Sequence, residues 1–116
     1  MSTEKGVKLD GGKPMMNLIY WPAVIGIAEV LTFGAKKYTA DGWQTLPDRK
    51  NRYFAATMRH LLAYWSGERV DPESGLSHLD HVATNIMFLK YDEARLLEIE
   101  QEKVGVDFPE EKGQHE

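Results

Sequence analysis

The chain has no cysteine. That excludes a disulfide framework and any thiolate metal site, and it suits a reducing compartment. No apolar run approaches the ~18 residues of a membrane-spanning helix, and the opening MSTEKGVKLDGGK is too polar for a secretory signal. A basic excess is also missing. The net charge is −4, whereas chains that grip nucleic acid polymers present a basic face. Strand-like alternation and internal repeats are absent too. What remains is an intracellular, cytoplasmic helical protein with neither a membrane nor a nucleic acid polymer as partner. A local basic cluster can still hold one small anion.

With 116 residues, one small domain is expected, spanning 1–103, followed by a disordered, acidic polar tail over 104–116. The first sixteen residues read as a loop, because LDGGKP combines turn-forming Asp–Gly–Gly with a proline. Apolar recurrence at three and four residues then predicts three helices. The first runs from about Pro22 to Tyr38, with the proline in its first turn, where a missing N–H is harmless. The second runs from Asp48, a good cap residue, to Ser66, and Gly67 closes it. The third starts at the cap residue Ser77 and runs to about Gln101. Phe54, Met58, Leu61 and Trp65 form the expected core stripe of the second helix, and Leu79, Val82, Ile86 and Leu89 that of the third. The fold class is therefore all-α: a small antiparallel bundle of about three main helices.

Chemistry concentrates between Arg59 and Asn85, RHLLAYWSGERVDPESGLSHLDHVATN. His78, His81 and Asn85 share one helical face. The bend before them carries Glu68, Asp71 and Glu73, and the previous helix ends near Arg59 and His60. Two imidazoles at HxxH spacing begin a metal site, with His60, Glu68, Asp71 or Glu73 as further ligands. The equally simple alternative is a pair of helix histidines bonded to neighbouring acids. The pattern lacks the glutamate base of HExxH, and Asp80 precedes His81, unlike the His–Asp order of HD phosphohydrolases. Trp43 lies on a loop, either as a core plug or as a surface on which a base stacks. Glu29 is the one acid in the apolar run of the first helix.

Three segments together, GVKLDGGKPMMNLI, EVLTFGAKKY…GW and RYFAATMRHLLAYWSGERVDPESGLSHLDHVATNIMFL, resemble the phage dATP/dGTP diphosphohydrolase N-terminal domain family. That family is grouped with the MazG-like all-α nucleoside triphosphate pyrophosphohydrolases. The resemblance implies a divalent metal and cleavage of a purine deoxynucleoside triphosphate to monophosphate and pyrophosphate, in a dimer or larger homo-oligomer. The metal would be magnesium or manganese, or a transition metal held by the histidines. On that reading Glu68, Asp71 and Glu73 supply catalytic acids, and His78 and His81 hold the metal. Lys13, Lys36, Lys37, Arg52, Arg59 and His60 meet the phosphates, while Trp43 or Tyr53 stacks on the base. The chain departs from the MazG pattern, because histidines stand where a second acidic pair is expected. The rival reading is a protein that sequesters a nucleotide without turnover.

Overall fold

The structure, a computed structural model, describes residues 6–7, 9 and 11–104. The expected tail beyond Val104, with His115, lies outside them, as do Lys8 and Asp10 of the leader. Three helices follow in order: α1 (Trp21–Lys37), α2 (Arg49–Trp65) and α3 (His78–Val104). Each begins within one residue of the boundary read from the sequence. Short 3-10 turns at Met16–Leu18 and Gly42–Gln44 interrupt the two loops. The described residues form no strand; a single antiparallel bridge joins Val70 to Ser77 in the bend.

The ends of the helices follow from local chemistry. Pro22 sits in the first turn of α1, and Lys36 and Lys37 in its last, beside the negative end of the helix dipole. Ser77 caps α3, its hydroxyl accepting the Leu79 N–H at 3.1 Å. Asp48 precedes α2 but does not cap it in the expected way. Its backbone is left-handed (φ 53°) and makes no side-chain cap bond. Its carboxylate instead accepts the Asn51 amide at 3.0 Å. At the far end of α2 the Gly67 N–H bonds the Tyr64 carbonyl and the Glu68 N–H the Ala63 carbonyl, both at 3.0 Å. This double closure needs the positive φ of Gly67, 109°.

The central helix is α3, against which α2 packs along most of its length and α1 more locally. Gly26 makes the α1 approach possible: a Cβ there would lie 2.2 Å from an Asp80 carboxylate oxygen. Glu29, the acid in the apolar run of α1, is exposed and solvated.

The core differs from the expected one. The face of α2 turned to α3 carries Tyr53 and Thr57, both buried, and then His60. Phe54, Leu61 and Trp65 lie about a quarter to a third of a turn further round. Phe54 is 58% exposed and Trp65 81%, while Ile86 on α3 is 51% exposed. Met58 and Leu79 also reach solvent. The two apolar stripes are real, yet in the single chain they are largely a surface. The buried centre is polar instead: Thr57, His78, His81, Thr84, Asn85 and Asp92. Such a centre is tolerable because its groups are largely bonded, one carboxylate oxygen of Asp92 alone among these six residues being buried without a partner. Thr57, Thr84 and Asn85 each donate to a carbonyl one turn back on their own helix.

Candidate metal and anion site

The bend between α2 and α3 is a tightly bonded hairpin rather than a slack link. Asp71 N–H bonds the Leu76 carbonyl and Gly75 N–H the Asp71 carbonyl, both at 2.8 Å. The Asp71 carboxylate accepts the Ser74 N–H at 2.9 Å, and the Ser74 hydroxyl accepts the Leu76 N–H at 3.1 Å. Asp-Pro-Glu-Ser is the sequence of such a turn, with an Asx bond from the first residue to the fourth. Asp71 is thus anchored and turned toward the histidines.

Three imidazoles meet there. His60 Nδ1 and His78 Nδ1 are 2.9 Å apart. His60 and His81 stack face to face, with centroids 4.3 Å apart and planes 5° from parallel. His78 Nε2 bonds the Glu68 carboxylate at 2.8 Å. Glu68 reaches it because the closure of α2 at Gly67 swings the next residue back over the hairpin. His81 Nε2 bonds the Ser74 hydroxyl at 2.7 Å and lies 3.8 Å from an Asp71 oxygen. Burial, then the neighbouring imidazole charges, push His60 below the usual histidine range. Burial likewise lowers His81, against the pull of Asp71. Burial works to raise Asp71, but the Ser74 hydrogen bonds and the adjacent histidines outweigh it, so its carboxyl lies below the usual range.

His60, Asp71 and His78 each offer one ligand atom, all within 4.8 Å of one another, a group that could hold a metal ion. Two imidazoles and a carboxylate suit a divalent ion. The metal pair read from the sequence is thereby divided. His78 is in this group, with His60 beside it, while His81 faces Ser74. Glu68 stands behind His78.

Beside the group opens a cavity of about 580 Å³, within the usual range for small-molecule sites. Arg52, Arg59 and His60 of α2, Lys37 of α1, Glu73 of the bend and His81 of α3 all border it. Glu73 and Lys37 form an ion pair across its rim, joining the bend to the end of α1. That contact, with the charge it brings, raises Lys37 above the usual lysine value. Trp43 and Tyr53 close one end. Trp43 stacks on Phe88 at 4.6 Å, with Tyr91 against its edge. The Tyr53 hydroxyl donates to the Trp43 carbonyl at 2.6 Å. Burial raises the Tyr53 phenol, which keeps it a donor. The plug reading of Trp43 thus describes one face of its ring, already covered by Phe88. Lys13 and Lys36 are exposed and do not border the cavity.

Two features escape the sequence reading. Ser74 joins Asp71 to His81, and only the Asx-turn pattern signals it. Arg49 bonds Asp92 at 2.6 Å and ties the start of α2 to the middle of α3; nothing in their spacing announces the pair.

The described residues thus form an all-α fold whose helical hairpin sets acids and imidazoles beside a cavity bordered by Lys37, Arg52 and Arg59. Residues 3–102 match the family described as "dATP/dGTP diphosphohydrolase, N-terminal", and the chain belongs to that family. It is also 36% identical over 84 residues to a protein of Salmonella phage PMBT28 named "dATP/dGTP diphosphohydrolase". The match takes in 72% of this chain but only 28% of that relative. No solved structure matches. No helix among the described residues is long and apolar enough to cross a membrane.

Proposed function

We propose that the chain binds a purine (deoxy)nucleoside triphosphate in this cavity and hydrolyses it to monophosphate and pyrophosphate with a divalent ion. The observation that carries the reading is the junction of the His60–Asp71–His78 group with a cavity bordered by Lys37, Arg52 and Arg59. In the reaction a water oxygen bonds to the α-phosphorus, and the protons it gives up pass to solvent. The bond from that phosphorus to the oxygen bridging it to the β-phosphorus breaks, and pyrophosphate leaves. A divalent ion supplies positive charge to the developing phosphoryl oxygens. The residues of the chain do the rest. Lys37, Arg52 and Arg59 neutralise and orient the triphosphate. His81 offers a hydrogen bond beside it, and the Trp43–Phe88–Tyr53 cluster forms a flat apolar end for the base. Incubation with a panel of deoxynucleoside triphosphates and Mg²⁺ or Mn²⁺ tests this. Pyrophosphate release no greater than that of a His60→Asn, His78→Asn double variant defeats it.

A second reading is binding without turnover, and it is favoured by the presence of a single carboxylate, Asp71, in the ligand group. Calorimetry in EDTA that finds tight binding, with the ligand recovered intact after metal is added, would select it. In both readings the working unit is a pair of chains or more, because Phe54, Met58, Trp65 and Ile86 lie exposed, and exposed apolar patches mark interaction surfaces.

A further inference from the structure

We propose that the His60–Asp71–His78 group selects an imidazole-preferring first-row transition ion over magnesium, and that Glu68 is the positioning residue that prepares it. The inference rests on the proposed function only in sharing its site, and it concerns binding of the ion alone.

The donor set carries the argument. Magnesium prefers an all-oxygen shell and retains several waters. Here two of the three converging atoms are ring nitrogens, which favour iron, cobalt, nickel, copper or zinc. The geometry agrees. Metal–nitrogen bonds of roughly 2.1 Å meeting at the right angle of an octahedral shell separate two nitrogens by roughly 3 Å, and the two Nδ1 atoms are 2.9 Å apart. A tetrahedral zinc would set them roughly 3.4 Å apart.

The surroundings of His78 point the same way. Its Nε2 is held by the Glu68 carboxylate at 2.8 Å, which accepts an N–H and so places the proton on that nitrogen. The lone pair is then on Nδ1, the atom turned toward His60 and Asp71. A carboxylate on the distal nitrogen of a ligating histidine fixes the ring and strengthens it as a donor. His78 is 3% exposed, so the ring cannot swing away to water. Glu68 is itself half exposed and forms no part of the core, which leaves its contact with His78 as its evident task. With no ion present, the two Nδ1 atoms share one hydrogen bond, the proton lying on His60. An ion takes the place of that proton, which moves to His60 Nε2.

The test uses the full chain stripped of metal, with no nucleotide. Co²⁺ is added and the visible absorption of the ion recorded; Zn²⁺, Mn²⁺ and Mg²⁺ are then titrated by calorimetry. One Co²⁺ per chain is expected to bind with a ligand-field band that millimolar Mg²⁺ does not erase. His78→Asn should abolish the band. Glu68→Gln, with unchanged circular dichroism, should keep it while weakening affinity roughly 10- to 100-fold. Displacement of Co²⁺ by Mg²⁺ at similar concentration overturns the proposal. So does a band that survives His78→Asn, or one lost in His81→Asn but kept in His78→Asn. Nucleotide hydrolysis is assayed separately. Transition-ion binding as described with no cleavage leaves this inference standing and removes the hydrolase reading. Mg²⁺-driven cleavage that His60→Asn and His78→Asn abolish, with no Co²⁺ band that resists Mg²⁺, does the reverse.

Discussion

The two flanks of the α2–α3 hairpin invert the usual order of a folded protein. The flank turned inward holds threonine, asparagine and three histidines; the flank turned outward holds Phe54, Met58, Trp65, Leu79 and Ile86. The inward side is stabilised by bonds that close locally, on helix carbonyls and on the Asp71–Ser74 turn. The outward side has nothing local to bury against. One side is therefore bonded within a single chain around the candidate site, while the other stays exposed, the surface on which the proposed second copy would sit.

The largest expected effect comes from the outward flank. A Phe54→Asp, Trp65→Asp double variant puts two charges into the proposed contact, where an unpaired charge is very unfavourable. Light scattering at micromolar concentration should find a dimer or larger assembly for the parent chain and a monomer for the variant. A parent chain that is already monomeric breaks the comparison, since its exposed flank would then be a stable end state.

Next comes the α1–α3 approach. Gly26→Ala sets a Cβ within 2.2 Å of Asp80, and unfolding by urea should show a loss of roughly 1–3 kcal/mol. Adding Asp80→Ala should recover most of it, because the two effects share one contact. No recovery would mean that the glycine matters for a different reason.

A smaller effect is expected from pH, through the inward flank. His60 and His81 lie below the usual histidine value in the folded chain, so the unfolded chain takes up protons first as pH falls. Stability is full above the unfolded histidine value and declines as pH drops through it. Asp71, also lowered, contributes stability above the unfolded carboxylate value that is lost at still more acid pH. Urea midpoints of the metal-stripped chain should be lower at pH 5 than at pH 8. Equal midpoints would show that the buried imidazoles make no difference to folding.

The smallest stability effect belongs to the rim. Lys37→Ala removes an exposed ion pair with Glu73, and such pairs contribute little in water. The unfolding midpoint should not move, while the KM for a nucleoside triphosphate rises several-fold, more at low salt than at high. An unchanged KM removes Lys37 from the phosphate contacts.

Much of the fold was legible because its signals are local. Pro22, Ser77 and Gly67 mark helix ends through their own backbone chemistry, and each does so in the structure. The HxxH spacing put His78 and His81 on one face, as found. Which side of α2 faces α3 was not legible. Hydrophobic periodicity selects the apolar stripe as the core, yet here Tyr53, Thr57 and His60 hold that position, and Phe54, Met58 and Trp65 of the stripe stay exposed. The partition of the histidines was equally hidden. His78 and His81 are equivalent by spacing, and only Glu68 and Ser74, arriving from the bend, tell them apart. The Arg49–Asp92 pair spans 43 residues, a distance across which charge pattern alone says nothing.

Gly67 is not one of the three candidate ligands and does not border the cavity beside them, yet its left-handed backbone decides where the following carboxylate lands. A larger side chain there would tilt Glu68 off His78 and soften the grip of an imidazole several residues away. On the proposed metal reading, damage at that glycine would therefore register as a loosened ion with an intact helix, a defect that inspection of the binding atoms alone would not explain.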